Sequence, residues 1–249
     1  MKILVAGATG AIGRPLVAEL LAGGHHVVAL TRSAERAQAL SAQGVEPAIA
    51  DVFDAAAVQA VVDRARPEVV IEQLTALPGT YTRESMSAAA EFNRRIRREG
   101  GANVLAAARA AGVRRYLRQS IAFWATPGPG LADEETPLAF DASPAVAADV
   151  RVVAELERRL LDSPGVEGIV LRYGFFYGPG TWFHYDGDVA RQVRQRQFPI
   201  VGKGNGAWSW LHVEDAALAT LAAAERGHPG IYLIADDQPR PVHEWLPAF

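Results

Sequence analysis

A glycine-rich loop close to the first residue constrains the fold more than any other feature of this chain. Residues 7–13 read GATGAIG and lie between an apolar segment typical of a buried strand, Lys2–Ala6, and an amphipathic segment that predicts a helix over 11–22. Glycine lets the chain turn sharply, lets the backbone approach a pyrophosphate, and lets the helix pack closely on the strand. The free N–H groups and the positive dipole end of the helix then favour phosphate.

The loop therefore predicts a dinucleotide site, and the alternative is a tight strand–helix turn that binds nothing. The residues assigned to the phosphates are Gly7, Thr9, Gly10, Ala11, Ile12 and Gly13.

The rest of the chain alternates short apolar runs with amphipathic stretches. This alternation predicts βαβ units and an α/β fold, a Rossmann-like doubly wound parallel sheet with a small C-terminal substrate lobe. Further strands are predicted at 26–30, 46–50, 68–71, 114–119, 168–172 and 231–234, and helices at 34–43, 55–64, 87–111, 145–161, 213–226 and from about 242. We assign 1–172 to the dinucleotide-binding part and 173–249 to the lobe, interleaved with the last strand and helix within one structural domain.

Composition excludes several classes of protein. The 249 residues carry a formal net charge of −3, which gives no global attraction to nucleic acid or to an anionic membrane. Without cysteine, the chain has no disulfide, thiolate metal site or cysteine nucleophile. The N-terminus lacks the pattern of a signal peptide and no apolar run could span a bilayer, so we expect a cytoplasmic protein. The sequence ends at Phe249 within a predicted helix, which leaves open whether the chain is truncated there.

Two charged groups of residues suggest sites but are interpreted otherwise. The basic run Arg94, Arg95, Arg97 and Arg98 lacks interleaved aromatic residues, so we interpret it as a solvated helix face or a contact in a homo-oligomer. His184 lies close to two aspartates in the sequence, but spacing alone supplies no ligand geometry, and we predict no metal site.

The loop has the spacing GxxGxxG, which resembles that of the short-chain dehydrogenase/reductase superfamily. Later segments resemble its extended and atypical branches: EGGANVLAAARAAGVRRYLR within 97–118, LRYG at 171–174, YGPG at 177–180 and SWLHVEDA at 209–216. The resemblance covers essentially the whole chain. It implies that Asp51 and Val52 hold the adenine and that Gln73, Leu74 and Thr75 line the cofactor, and we add Phe175 to the cofactor residues.

The end of the second strand indicates which nicotinamide cofactor binds. It reads LTRS at 30–33, with no acidic residue to bond a ribose 2′-hydroxyl. Arg32 instead offers charge-assisted hydrogen bonds to a 2′-phosphate, so we predict NADP(H) over NAD(H). The alternative is an exposed loop arginine followed by Ser33 as the cap of the next helix.

In the superfamily, a serine or threonine, a tyrosine and a lysine carry out the proton chemistry. Ser120, after the fifth strand, matches the serine, with strand capping as its alternative role. The helix at 145–161 contains no tyrosine and no lysine. With Glu157 as the usual downstream glutamate, Asp149 stands at the tyrosine position and Val153 at the lysine position. The standard mechanism therefore cannot be carried over.

Three explanations remain open. Tyr177 is the acid; or no acid is needed, because the hydride acceptor is conjugated; or the protein only senses NADP(H) as a regulator. We favour the second, an NADPH-dependent oxidoreductase acting on an aromatic or conjugated carbonyl or quinone. A sugar-nucleotide epimerase or dehydratase is the further alternative. Atypical members from aromatic polyketide pathways reduce anthraquinones, sometimes beside an oxygenase, and the resemblance allows such a partner here.

Aromatic side chains support this choice of substrate. We expect them to line the mouth of the cleft, where flat walls would suit an aromatic small molecule, with an ordinary hydrophobic lobe as the alternative. They are Phe175, Phe176, Tyr177, Trp182, Phe183, Tyr185, Trp208 and Trp210.

Overall fold

A seven-stranded parallel sheet forms the centre of the molecule. The computed structural model describes residues 1–128 and 130–249. The strands of the sheet are β1 (Lys2–Ala6), β2 (His26–Thr31), β3 (Glu46–Ile49), β4 (Val69–Glu72), β5 (Arg115–Ile121), β6 (Glu167–Tyr173) and β10 (Gly230–Ile234). They run in the order β10-β6-β5-β4-β1-β2-β3, which confirms the doubly wound α/β fold.

Helices cover both faces of the sheet. One face packs against α1 (Gly13–Ala22), α2 (Ala34–Ser41) and α8 (Val213–Arg226), and the other against α3 (Ala55–Ala65), α5 (Gly101–Ala110) and α6 (Pro144–Leu161). The helix α4 (Arg83–Arg95) precedes α5 and contributes no buried residue to either core. Strand β1 shows why both faces are apolar. Ile3 and Val5 point into one core and Leu4 and Ala6 into the other, as the period of two in a strand requires.

The long helix between β4 and β5 begins earlier than its sequence pattern indicates. A π-helical turn, Ile96–Gly100, joins α4 to α5, so the helix is continuous from residue 83 to 110. Thr82 caps it by accepting a hydrogen bond from the Ser85 N–H, while the Ser85 side chain accepts one from the Thr82 N–H. No residue of α4 is fully buried, which is why the apolar periodicity missed its first turn.

The basic run on this helix divides between surface and interior. Arg95 and Arg98 are exposed and pair with Glu99 and Glu155, as a solvated face requires. Arg97, in the π-helical turn, is only 8% exposed. The interpretation of the run as a solvated face is therefore wrong for Arg97.

The segment after β6 contributes to the main sheet and also forms a small lobe. Strand β10 pairs with β6, and α8 packs beside α1. In the lobe, β7 (Phe175–Tyr177) pairs with β9 (Trp210–His212), and β8 (Ala207–Trp208) pairs with β11 (Arg240–Pro241), accompanied by α7 (Asp188–Arg194) and α9 (Val242–Ala248). Within the described ranges, no helix combines the length and apolar character needed to cross a membrane.

Candidate active site

The glycine loop connects β1 to α1 through contacts that exclude larger residues. Gly7 has φ of +101°, and a Cβ there would lie 2.5 Å from the carbonyl oxygen of Gln73. A Cβ at Gly13 would lie 2.2 Å from the Gly7 carbonyl oxygen. At Gly10 the nearest atom would be 3.4 Å away, an ordinary contact. Gly7 and Gly13 are therefore required by close packing, whereas Gly10 faces open space.

The loop leaves backbone donors available at the start of α1. The N–H of Gly10 bonds to the Gly7 carbonyl, and the N–H of Arg14 bonds to the Gly10 carbonyl. Between them, the N–H groups of Ala11, Ile12 and Gly13 bond to no backbone acceptor in the described part of the chain. With the dipole of the ten-residue helix behind them, they form a cradle that fits a pyrophosphate.

Two arginines lie beside this loop, of which the sequence analysis identified one. Arg32 is exposed immediately after β2. Arg36, in the first turn of α2, donates a hydrogen bond from Nη1 to Thr9 Oγ1 over 3.5 Å. Ser33 caps α2 by accepting the Arg36 N–H, so the cap and the arginines coexist. The sequence analysis did not identify Arg36. Its position three residues after the helix cap Ser33, in the first turn of α2, is the signal that places it near the end of the sheet.

The adenine segment is held by the long helix. Asp51 Oδ1 accepts the N–H of Phe53 at 3.0 Å, and the Val52 carbonyl accepts Asn103 Nδ2 at 2.8 Å. A Cβ on Gly100 would lie 2.8 Å from Val52 Cγ2, so the helix and this loop are in direct contact. The contacts give the segment a defined shape at the carboxyl end of β3.

Gln73 supports the glycine loop from the interior. Its N–H bonds to the Ala6 carbonyl, and its Nε2 donates to Tyr173 Oη, which in turn bonds to Thr220. Burial raises the pKa of Tyr173 to about 12, so the tyrosine stays protonated within this network. Leu74 and Thr75 follow at the carboxyl end of β4, where both are half-buried. Of these residues, Leu74 and Thr75 have side-chain surface available to a cofactor.

Ser120 is committed to the interior. It is 2% exposed and donates its hydroxyl to Glu157 Oε1 over 2.5 Å. Glu157 also accepts hydrogen bonds from Arg172 Nε and Nη2, at 3.0 and 2.7 Å. The prediction of Ser120 as the substrate-orienting serine therefore finds no support in the geometry, because its hydroxyl serves a buried carboxylate beneath α6.

The helix face assigned to a tyrosine–lysine pair carries other chemistry. Asp149 Oδ1 accepts a hydrogen bond from Arg94 Nη1 at 2.9 Å. Val153 is buried and packs in a small cluster with Leu138 and Val150. An ion pair and an aliphatic side chain therefore replace the proton donor and its cationic neighbour.

Tyr177 lies in β7 with its ring against His212, at a centroid distance of 5.0 Å. Burial raises the pKa of Tyr177, and the carboxylates of Asp236 and Asp215 raise it further. A tyrosine that donates a proton readily at neutral pH needs the opposite shift. The surroundings of Tyr177 thus disfavour the role of general acid predicted for it.

The prediction of Phe175 as a cofactor contact needs correction for a geometric reason. Its ring stacks on Phe123 at 3.8 Å and on Trp208 at 4.1 Å, and both pairs are close to parallel. The two neighbours therefore cover opposite faces of the ring. Only the edge of Phe175 remains for a ligand.

Most of the other predicted wall residues pack against one another. Phe183 contacts Trp208, Trp210 and Trp245 at centroid distances of 5.7, 4.9 and 5.9 Å. Tyr185, in contrast, is 73% exposed. Phe183 is buried among these rings, whereas Trp208 and Trp210 are half-buried and keep some exposed surface.

No group of three or more metal-binding side chains comes together among residues 1–128 and 130–249. His184 bonds to Asp186, whereas Asp188 bonds to Arg191 and Gln192. The three residues that are close in sequence thus have separate partners.

The chain is similar in sequence and in fold to several known proteins. The family model described as "NAD dependent epimerase/dehydratase family" matches residues 3–235. A Streptomyces sp. protein named 3-diazoavenalumate denitrifying reductase is 48% identical over 251 residues, covering 100% of this chain and 80% of the relative. A Stenotrophomonas maltophilia 2-alkyl-3-oxoalkanoate reductase is 27% identical, and the match covers 98% of this chain and 73% of that reductase.

Among solved structures, the UDP-glucose 4-epimerase of Thermus thermophilus in complex with NAD is similar to this chain. It superimposes with a TM-score of 0.76 at 26% identity, and the match covers 100% of this chain and 82% of the epimerase.

Proposed function

The chain belongs to the NAD dependent epimerase/dehydratase family and is an oxidoreductase of that family, and from this premise we propose that it is an NADPH-dependent reductase of an aromatic diazo compound. The proposed substrate is a quinone diazide, a ring that carries a diazo group conjugated to a ring oxygen. Such a compound combines the conjugated acceptor favoured by the residues with the diazo group in the name of the 48% identical relative.

The observation that carries the proposal is the occupation of the acid positions on α6. Asp149 is paired with Arg94, and Val153 is buried in an aliphatic cluster, so neither can protonate a carbonyl oxygen as hydride arrives. An acceptor that needs no proton in the slow step fits this site. Positioning and desolvation of the two reactants then supply the barrier lowering, about 7–11 kcal/mol at best.

The step balances without a protein acid. Hydride bonds to the terminal nitrogen of the diazo group, and the electron pair passes through the ring to the oxygen, which becomes a phenolate. Water protonates the phenolate. Water takes the N–H proton of the diazene as the carbon–nitrogen bond breaks and N2 leaves, and the ring carbon takes a proton from water to form the new C–H bond. The ring is reduced by two electrons.

The residues that would hold the cofactor fit a dinucleotide phosphate. The cradle around Gly7 and Gly13 excludes any side chain, and the free amides at 11–13 are available to the pyrophosphate. Arg32 and Arg36 offer guanidinium groups for a ribose 2′-phosphate, which favours NADPH over NADH. When bound, the reduced nicotinamide supplies a hydride. Asp51 and Val52 would contact the adenine, and Leu74 and Thr75 the inner part of the cofactor.

A second candidate substrate is a quinone or a conjugated ketone, as the sequence analysis favoured. The 2-alkyl-3-oxoalkanoate reductase among the relatives supports reduction of a ketone as the reaction class, although the ketone in its name is not conjugated. Hydride transfer to a quinone likewise gives a resonance-stabilised anion that water protonates. The two candidates share the cofactor and the absence of an acid, and they differ in the release of N2.

The test is a coupled measurement of NADPH absorbance and released N2. The wild-type protein is mixed anaerobically with 1,2-naphthoquinone-2-diazide-5-sulfonate or with 1,4-naphthoquinone. We expect NADPH oxidation with the diazide, matched by N2 and a naphthol product whose new ring hydrogen comes from solvent, so that it is deuterium when the reaction runs in D2O.

The control for uncatalysed reduction is the Gly10→Asp variant. The Gly10→Ser variant is its matched neutral counterpart. Because Gly10 faces open space, both variants should fold, while the aspartate repels the pyrophosphate. NADPH loss with the naphthoquinone alone would favour the second candidate. Tight NADPH binding without turnover of either acceptor would overturn the reductase proposal.

A further inference from the structure

Most of the buried arginines near the sheet have a carboxylate partner. Arg118 pairs with Glu72 at 2.6 Å, Arg172 with Glu157 at 2.7 Å, and Arg115 with Glu167 at 2.8 Å. Such pairing offsets part of the free-energy cost of placing charge in the interior. It makes an arginine that lacks a partner conspicuous.

Arg97 is that arginine. Its Nε is enclosed and has no hydrogen-bond partner, and no carboxylate lies within 4 Å of its guanidinium in the described part of the chain. Burial lowers the pKa of Arg97, with Glu72 and Asp149 opposing the shift from a distance. A guanidinium remains protonated even so, because its ordinary pKa is above 12. The interior therefore holds a cation that the nearby carboxylates of Glu72 and Asp149 offset only from a distance.

The backbone places Arg97 at this point through an irregular turn. Arg97 lies in the π-helical turn, and such turns are frequent at functional sites. The residues after it allow the helix to approach the sheet closely, since a Cβ on Gly101 would lie 2.7 Å from Glu72 Oε1. One turn toward the start of the helix, Arg94 pairs with Asp149. Arg97 thus lies between two ion pairs, Arg94–Asp149 and Arg118–Glu72, and takes part in neither.

Arg97 lines a small cavity between the carboxyl ends of β4 and β5 and the helix α6. Leu74, at the carboxyl end of β4, Ser120 and Val153 line the same cavity, and so do the ion-paired residues Glu72, Arg118 and Glu157. The cavity has a volume of about 10 Å³. That volume holds roughly one oxygen atom and is too small for a carboxylate. Leu74 and Gln119, at the carboxyl ends of β4 and β5, are half-buried and line the cavity, which therefore lies close to the carboxyl edge of the sheet.

We propose that Arg97 binds the ring oxygen of the substrate and stabilises the negative charge that hydride transfer places on it. The inference rests on the proposed function and identifies the group that replaces the missing tyrosine: a fixed cation takes the charge, and no proton is transferred from the protein. A preorganised donor directed at developing charge costs no reorganisation when the reaction occurs. Arg97 is then a catalytic residue, and the oxyanion is the partner that its buried charge lacks.

The test measures binding of an oxyanion without turnover. The probe is 4-nitrophenol, whose phenolate absorbs in the visible, added to the protein with NADP+. We expect wild type to bind the phenolate in preference to the phenol, which lowers the apparent pKa of the bound probe. Arg97→Met should weaken phenolate binding about 10- to 100-fold, the loss of one charge-assisted hydrogen bond, and Arg97→Lys should recover part of it. Arg95→Met is the matched control, because Arg95 is exposed on the same helix.

Each outcome decides the proposal. If wild type binds the phenol and the phenolate equally, or if Arg97→Met binds the phenolate as wild type does, the assignment is wrong. If Arg97→Met does not fold, the wild-type probe pKa and the Arg97→Lys variant still decide. Phenolate binding that depends on Arg97, together with no reduction of the diazide, would contradict the proposed substrate but leave the oxyanion site in place.

Discussion

At the scale of single residues, the phosphate loop is defined by distances that admit only hydrogen on Cα. Gly7 and Gly13 would each place a Cβ within 2.5 Å of a backbone oxygen. Arg36 extends the loop sideways by contacting Thr9. The glycine loop and Arg36 together form one surface that fits phosphate groups. The preference of this surface for a ribose 2′-phosphate can be measured.

Arg36→Ala should raise the KM for NADPH about 10- to 100-fold and leave the KM for NADH unchanged. The physical reason is the loss of a charge-assisted hydrogen bond to the 2′-phosphate, which NADH lacks. Steady-state kinetics with both cofactors measure the ratio. Arg64→Ala, an exposed arginine on α3, is the control. An equal loss for NADPH and NADH would mean that Arg36 serves only to hold Thr9.

Tyr177→Phe should change kcat by no more than a few-fold, and the kcat of wild type should show no ionisation between about pH 6 and pH 9. The raised pKa of Tyr177 keeps its proton throughout that range, and the proposed step takes no proton from it. The pH profiles of wild type and variant measure both points. A general acid at this position would instead cost about 10²- to 10⁴-fold in kcat, and that loss would contradict the proposed chemistry.

At the scale of elements, one buried network joins β5, α6 and β6. Glu157 of α6 accepts hydrogen bonds from Ser120 of β5 and from Arg172 of β6. These residues are distant in sequence. Arg172 neutralises the carboxylate of Glu157, and Ser120 donates a hydrogen bond to it, in an interior from which water is excluded. The network fixes the register of α6 against the sheet and with it the positions of Asp149 and Val153.

Ser120→Ala should lower the free energy of unfolding by about 1.5–3 kcal/mol, the contribution of a hydrogen bond to a charged group, while kcat changes little. Glu157→Gln should cost more, about 3–5 kcal/mol, because Arg172 is left as an uncompensated buried charge. Urea denaturation measures both values, with the exposed Ser87→Ala as the control. A large fall in kcat for Ser120→Ala at unchanged stability would restore the catalytic role of the serine.

At the scale of the whole molecule, the sheet places every candidate group at its carboxyl edge. The glycine loop follows β1, Arg32 follows β2, Asp51 follows β3, and Leu74 follows β4. Parallel strands bring these loops together irrespective of their separation in sequence, and the order of strands reverses between β1 and β4. In the lobe, many of the aromatic side chains contact one another, and the candidate cofactor residues lie at the edge of the sheet.

Sequence patterns determined the features that depend on local backbone conformation. The alternation of strands and helices, the glycine loop and the cap at Ser33 follow from the periodicity and steric limits of a few neighbouring residues. The missing tyrosine and lysine on α6 were also readable directly, because an absence requires no contact to interpret.

Only the tertiary structure decided what each side chain meets. Ser120 faces Glu157, and Phe175 is covered on both faces of its ring. Arg97 is buried, and among the described residues no carboxylate forms an ion pair with it. The sequence of a basic run is the same whether its side chains point to water or to the core. A residue in a strand can likewise face either of the two helix layers. Those outcomes depend on how segments far apart in the chain pack together, since burial and electrostatic pairing are properties of the assembled interior.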